Sequence, residues 1–556
     1  MSRAARATAG AIDDWWFAGS VIVLVLAVTS VPYVYAYRSS PPDRQFMGIL
    51  VNVPDHTQYF AWMRGLRDAY LMSNTLTPEP NRPLFFNLLW WGMAAIGRAF
   101  GLGPAGCLQV LRVVATVLFL IVVHRLCALF LADRLQRRTA FLVATLSSGF
   151  GWILVALKYT IARGELYFPL DVFIAEGNTF YCILAQPHFI AAALYGFVFE
   201  LVLRGEESGR LRWAAAAGLI TLLLAWQHAY DLASVYGVLA GYVLLRTLRD
   251  RALPRRLITA CVVIGALSWW PGAYSTVLVR LEPTWRAVLA QFGNAGVATP
   301  TPLHLVILLG PAFLLAVLAV AVDRPWRLAG IDDRRLLLRA WFLSGFVLIY
   351  LPVSWNVHLI NGWQIPIAIL ATQAVLCDIA PALHARLGSI DRRAMQRVLA
   401  ALLVLVVVPT NVYLYAWRFF DLGRHAHPYY LLNDELAALR WIETHAAPDD
   451  VVLSSLIIGH YVPGLTGTHA YLAHWAQTVD YYRKQDAVRA FFDAATDDGT
   501  RREILARGGV DWVFYGDEER ALGSYAAQEA PFLRRVFGAG NSAVYQVVLG
   551  GAAPSG

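Results

Sequence analysis

The chain is poor in charge and in cysteine. Of its 556 residues 15% are charged and 58% hydrophobic, with a mean hydropathy of +0.50. Soluble domains carry about a quarter charged residues, so this composition excludes an ordinary soluble protein. Five cysteines stand at 107, 127, 182, 261 and 377, all in or beside apolar segments. None has CxxC spacing, which excludes a zinc ribbon and a disulfide framework as organising devices. There is no Gly-rich phosphate loop, no nucleophile elbow and no HExxH pair, so nucleotide hydrolysis and covalent catalysis have no support. The first apolar run is long and lacks a small-residue cleavage site, so no cleavable signal peptide is expected.

What the chain has instead is apolar blocks of bilayer-crossing length. The hydropathy pattern predicts about eleven spans, near 17–37, 106–132, 139–158, 183–204, 213–227, 229–246, 257–279, 302–322, 340–354, 362–383 and 398–419. The net charge of +8 is no nucleic-acid signal, because the arginines sit in short loops between spans. With Arg3 and Arg6 in the cytoplasm, every second loop is arginine-bearing: Arg134, Arg137 and Arg138; Arg210 and Arg212; Arg249, Arg251, Arg255 and Arg256; Arg324, Arg327, Arg334 and Arg335; Arg386, Arg392, Arg393 and Arg397. Residues 84–101 read as a helix in the outer interface, since counting them as a span would invert every later loop. The expected architecture is a polytopic all-α transmembrane bundle over 1–420, with a long first outer loop at 38–105, followed by an extracytoplasmic α/β domain over 421–556. In that domain Asn433 or Asp434 caps a helix, and strands are expected at Val451, Asp511 and Ala543.

The outer loops collect polar residues that solubility does not require, and ionisable groups at a membrane edge are costly. Asp55 stands in Val51-Asn-Val-Pro-Asp-His-Thr-Gln-Tyr, just ahead of a helical run. It reads either as an N-cap or as a carboxylate able to take a proton from an attacking hydroxyl. His56 and Tyr59 flank it. Arg82, in Pro78-Glu-Pro-Asn-Arg-Pro, is fixed on an extended stretch, suited to gripping a phosphate or to reaching lipid headgroups. Glu79 is its expected salt-bridge partner. Glu176 and Asn178 precede the next span, and His188 lies one turn inside it. His228 and Asp231 are spaced i, i+3 as a hydrogen-bonded pair or as two ligands of a metal. His358 and Asn361 close a further outer loop. In the C-terminal domain, His469 and His474 read as packing residues. A transporter or lipid flippase, and a non-catalytic scaffold with an outer binding domain, are the competing functional classes. No internal repeat of the kind transporters show is visible.

These pieces resemble the GT-C glycosyltransferases, integral membrane enzymes that use polyprenyl-phosphate-linked sugars. The likeness rests on one span, a long outer loop headed by an acid (Asp55, Tyr59), a Pro-rich basic segment (Glu79, Asn81, Arg82, Pro83), an aromatic interfacial helix (Leu84 to Phe100) and a span bearing Arg112 near its start. Within the superfamily the protein O-mannosyltransferases and the aminoarabinose transferase are the similar types. The resemblance implies an inverting transfer of a sugar from a polyprenyl-phosphate donor to a lipid, glycan or protein acceptor, on the outer face of a bacterial inner membrane. Asp55 would be the catalytic base, and Arg82 would hold the donor phosphate. Many members carry two adjacent acids here. This chain has His56 second, so a divalent metal, if used, would draw on Asp55 and Glu176.

Overall fold

The computed structural model describes residues 3–549 apart from 165, 167, 168, 296, 297, 324–327 and 389, with side chains from Asp13 onward. Glu165, Arg324 and Arg327, and the side chains of Arg3 and Arg6, lie outside the described set. The protein is mostly helical, 69%, with a small sheet near its C-terminus. Its contacts divide it into two compact units. Unit 1 comprises Met1–Val31, Val110–Tyr274 and Val297–Phe419; unit 2 comprises Pro32–Gln109, Ser275–Gly296 and Phe420–Gly556.

Each stretch expected to span is helical over most of its length. Among the described residues six helices are long and apolar enough to cross a membrane: Asp13–Ser39, Pro104–Phe130, Pro187–Ser208, Asp231–Asp250, Pro302–Val322 and Asn356–Leu387. Three bent pairs raise the number to nine: Arg134–Leu146 with Gly151–Thr160, Arg255–Ser268 with Trp270–Leu281, and Arg392–Val407 with Pro409–Gly423. The expected spans at 213–227 and 340–354 are the helices Arg212–Gln227 and Asp333–Leu348, each 16 residues long. At about 1.5 Å per residue they reach some 24 Å, short of a hydrocarbon core of about 30 Å.

The bends in unit 1 have local causes. Pro409 opens its helix without an N–H to continue the one before. Gly149 lies in the break of the first pair and packs against backbone. A Cβ there would run into Ile307 O and Leu308 O, and one on Gly310, at φ +64° in the kinked helix Pro302–Val322, would sit 2.8 Å from Gly149 Cα. Phe150 N–H donates to Ile307 O at 2.8 Å, and Gly149 N–H to the buried Asp171 carboxylate at 3.1 Å. Asp14 is buried and meets the guanidinium groups of Arg134, Arg137 and Arg138.

Among the described residues the strands all fall in unit 2. β1 (Arg44–Phe46) pairs antiparallel with β2 (Tyr430–Leu432). β3 (Val451–Leu453), β4 (His469–Ala470), β5 (Val510–Tyr515), β6 (Leu533–Ala539) and β7 (Ser542–Val547) form a five-stranded sheet in the order β4-β3-β5-β7-β6. β3 runs parallel to β4 and β5, and β7 runs antiparallel to β5 and β6. Leu453, Phe491, Phe492, Leu505, Val513 and Phe532 are fully buried on it. Within this unit the helix Asn433–His445 is preceded by Leu432, so neither Asn433 nor Asp434 is the cap. Glu435 takes the Leu432 N–H instead.

The 275–296 segment carries Trp285, whose ring stacks on Phe85 at 4.8 Å. Its Gln291 amide donates to Thr478 O at 2.8 Å, while Gln291 Oε1 accepts from Asp480 N–H. The 474–479 turn is also tied to residues 74–77: Thr478 Oγ1 donates to Leu76 O at 2.6 Å and Asn74 Nδ2 to Gln477 O at 2.9 Å. That turn is therefore held from two sides.

Candidate functional site

Asp55 is not an N-cap. The helix Val53–Gly65 begins two residues earlier than its sequence suggests, with Pro54 in its first turn and Asn52 at φ +49° before it. Asp55 thus stands in the first turn, where the orphan N–H groups and the positive end of the helix favour a carboxylate. One of its oxygens accepts from the Asn52 amide. The other, Oδ1, is 2.8 Å from His474 Nε2. His474 Nδ1 accepts the backbone N–H of Ala476 at 3.0 Å. That bond fixes the tautomer: Nδ1 has no hydrogen, so Nε2 carries it and donates it to Asp55. The expectation that His474 only packs is thereby corrected. The ring is buried, but it is the partner of the acid, fixed by the turn that Asn74, Thr478 and Gln291 tie down. Asp55 keeps 24% of its side chain exposed.

Behind this pair lies His460 on the helix Leu456–Thr466. Burial pushes its pKa down to about 3; His474 adds to the fall and Asp55 opposes it. Its ring is neutral. His56 is buried, with Nδ1 3.0 Å from Asn52 O. Tyr59 is buried too and stacks on Trp90 at 4.2 Å, while Trp62 meets Phe85 at 4.6 Å. Tyr59 thereby docks the helix against Leu88–Phe100, which Asn87 caps by accepting from Leu89 and Trp90.

Glu79 does not pair with Arg82. It takes Lys484 Nζ at 2.5 Å and the Thr77 hydroxyl. Lys484 is buried, which lowers its pKa against the opposing charge of Glu79. A buried ammonium must be paired, so it claims the acid in preference to an arginine in solvent. Arg82 is left exposed, with no carboxylate partner among the described residues.

Unit 1 gathers most of the other candidates. Glu176, buried in the turn Ala175–Gly177, lies 2.5 Å from His358 Nδ1. His228 Nδ1 lies 3.1 Å from Asp231 Oδ2, the hydrogen-bonded pair expected from their spacing. The His228 and His358 rings are 6.0 Å apart. Tyr230 stacks on His358 at 5.3 Å and on Trp355 at 5.0 Å. Phe189 bridges the group to His188, whose ring is 4.1 Å away. Asn178 is spent on structure: it caps Thr179–Ala185 and donates to Asn411 Oδ1 at 2.7 Å. Asn361 Nδ2 donates to Phe189 O.

No three His, Cys, Asp or Glu side chains among the described residues converge to share an ion. Asp55 faces N–H donors, which a cation would have to displace, and Glu176 belongs to the other unit.

No family model matches the sequence, and no curated protein resembles it closely enough to match. Solved structures do. The oligosaccharyltransferase of Archaeoglobus fulgidus in its apo form superposes with a TM-score of 0.54 at 12% identity, covering 90% of this chain and 69% of that one. The same archaeal enzyme in complex with an inhibitory peptide and a dolichol-phosphate gives 0.53 at 12% identity, with the same coverage. ArnT of Cupriavidus metallidurans, in the apo state, gives 0.50 at 14% identity, over 95% of this chain and 98% of that one. These neighbours are GT-C glycosyltransferases. The chain has the GT-C fold. Within that fold the apolar helices make a multi-pass membrane protein, and the acid–histidine pair of unit 2 is a feature that hydropathy and spacing did not reveal.

Proposed function

We propose that this protein is an inverting glycosyltransferase that moves a sugar from a polyprenyl-phosphate donor to a hydroxyl on a lipid, glycan or protein, on the outer face of a bacterial inner membrane. The observation that carries the reading is the Asp55 carboxylate, held by the N–H groups of His474 and Asn52 and still open to solvent. A base must be fixed in direction and reachable by its substrate, and this one is both. In the proposed step the acceptor O–H proton passes to Asp55, and the acceptor oxygen bonds to the anomeric carbon. The carbon–oxygen bond to phosphate breaks, and its electron pair leaves on the polyprenyl phosphate. That phosphate gains charge as the bond breaks, and stabilising charge that develops only then is what accelerates a reaction. Arg82, exposed and without a carboxylate partner among the described residues, is the group proposed to meet it. The structural neighbour in complex with an inhibitory peptide and a dolichol-phosphate supports a lipid phosphate as the donor's carrier. The step is written without a metal.

Purified protein in detergent, given labelled polyprenyl-phosphate sugars and a panel of acceptors, tests this. The parent should transfer sugar, and Asp55→Asn should fold alike while losing about 10²–10⁴-fold in rate. Normal transfer by Asp55→Asn would remove Asp55 as the base. Movement of the lipid without transfer would favour a flippase, and neither activity would favour a scaffold.

A further inference from the structure

Unit 2 has a second polar feature away from Asp55. The helices Val53–Gly65, Leu88–Phe100, Asn433–His445 and Leu456–Thr466 border a cavity of about 320 Å³. Small-molecule sites commonly occupy about 300–1,000 Å³, so one headgroup-sized molecule fits. Arg64, Arg67, Arg98 and Arg440 line it against a single lining carboxylate, Glu443, and the remaining wall is largely apolar, with Met63 and Leu439 on it.

Arginines beside helix C-termini have an ordinary role: they bond the last carbonyls and oppose the negative end of the dipole. That role explains two of the four. Arg64 donates to Leu465 O at 2.9 Å, at the end of Leu456–Thr466, and pairs with Glu443 at 2.9 Å. Arg98 donates to Arg67 O at 2.8 Å, just past the end of Val53–Gly65, with Asp68 3.6 Å away. It does not explain Arg67 and Arg440. Both are exposed, and among the described residues neither side chain has a carboxylate or carbonyl partner. Two guanidinium groups without a carboxylate or carbonyl partner on one cavity's rim suit an anion, and the planar fork of arginine matches a phosphate.

We propose that this cavity binds a phosphate-bearing amphiphile, its phosphate between Arg67 and Arg440 and its hydrocarbon against the Met63 and Leu439 wall. The site is separate from the proposed transfer. Asp55 is in the first turn of Val53–Gly65 and Arg64 in the last, nine residues on, which puts them about 13 Å apart along the axis. Neither Asp55 nor Arg82, the group proposed to meet the donor phosphate, lines this cavity.

The test uses the full chain in dodecyl maltoside, with dioctanoylphosphatidic acid as the probe and thermophoresis as the readout. The probe should bind saturably and more weakly as salt rises, and dioctanoylglycerol, which lacks the phosphate, should not bind. Arg67→Ala/Arg440→Ala should weaken binding about tenfold or more, with Arg67→Lys/Arg440→Lys recovering part of the loss. Asp55→Asn should bind as the parent does. Displacement of the probe by inorganic phosphate, lost in the double-alanine variant, would assign the affinity to the phosphate alone. Failure of inorganic phosphate to compete would assign it to the whole amphiphile. Either supports the site. No binding of the probe, equal binding by the double-alanine variant at unchanged melting temperature, or equal binding of dioctanoylglycerol would overturn it.

Discussion

His474 matters to Asp55 through direction, not charge. Its Nδ1 is occupied by the Ala476 N–H, so it can only donate to the acid. A hydrogen bond to a charged group contributes about 1.5–3 kcal/mol. His474→Ala should therefore slow transfer by roughly 10–150-fold with KM nearly unchanged, and His474→Gln, which retains an N–H donor, should recover part of that loss. An equal fall in melting temperature for both variants, with no difference in kcat, would make His474 merely structural. Asp55 stands out in the sequence as an acid at the head of an aromatic helical run in the first loop. His474 does not, because a histidine more than 400 residues away in an apolar turn has the signature of packing. Glu79 and Arg82 failed as a pair for a similar reason. Nearness in sequence made them look matched, but the buried ammonium of Lys484 has the greater need of a counter-charge.

Elements carry two further predictions. Gly149 sits where a helix break meets the backbone of Pro302–Val322, with no room for a methyl group. Gly149→Ala should cost about 1–3 kcal/mol and lower the melting temperature in detergent. Gly92→Ala, on Leu88–Phe100 with nothing within 4 Å, should raise it slightly, because alanine favours a helix over glycine by about 1 kcal/mol. The second concerns His427, which lies between Glu435 at 2.9 Å and Glu518 at 3.0 Å. Burial alone would lower its pKa, but the two carboxylates outweigh burial and hold it at about 9. The folded value exceeds the unfolded one of about 6.5. The contact is therefore fully stabilising below about pH 6.5 and fades as pH rises toward about 9. Thermal melts across that window should fall for the parent and flatten for His427→Gln. Among the elements, the long apolar helices and the strands β3, β5 and β7 were visible in the sequence, since runs of one hydropathy define them. The helix Leu456–Thr466 and the two-residue β4 were not, because short buried segments carry no distinguishing period.

For the whole molecule, the proposed function needs the orientation that the arginine pattern predicts, with first loop and sheet on the outer side. A single cysteine at Asp449 in a cysteine-free background should react with an impermeant maleimide in intact cells, and one at Arg137 should react only after lysis. The reverse pattern would put the proposed chemistry on the wrong side of the membrane. Span number was the least legible property. Hydropathy counts eleven apolar blocks, whereas among the described residues six helices, or nine with each bent pair as one span, are long and apolar enough to cross, and two more are 16 residues each.

The pairing of residue 55 with residue 474, 419 positions on, also has a timing. At about 5–20 residues per second, a nascent chain exposes its acid roughly 20–80 s before the imidazole that orients it has been made. An unfinished or truncated copy stalled in the membrane would hold a misaligned acid. Competence would then arrive only once residue 474 has been made, so fragments ending before it would be silent rather than partly active.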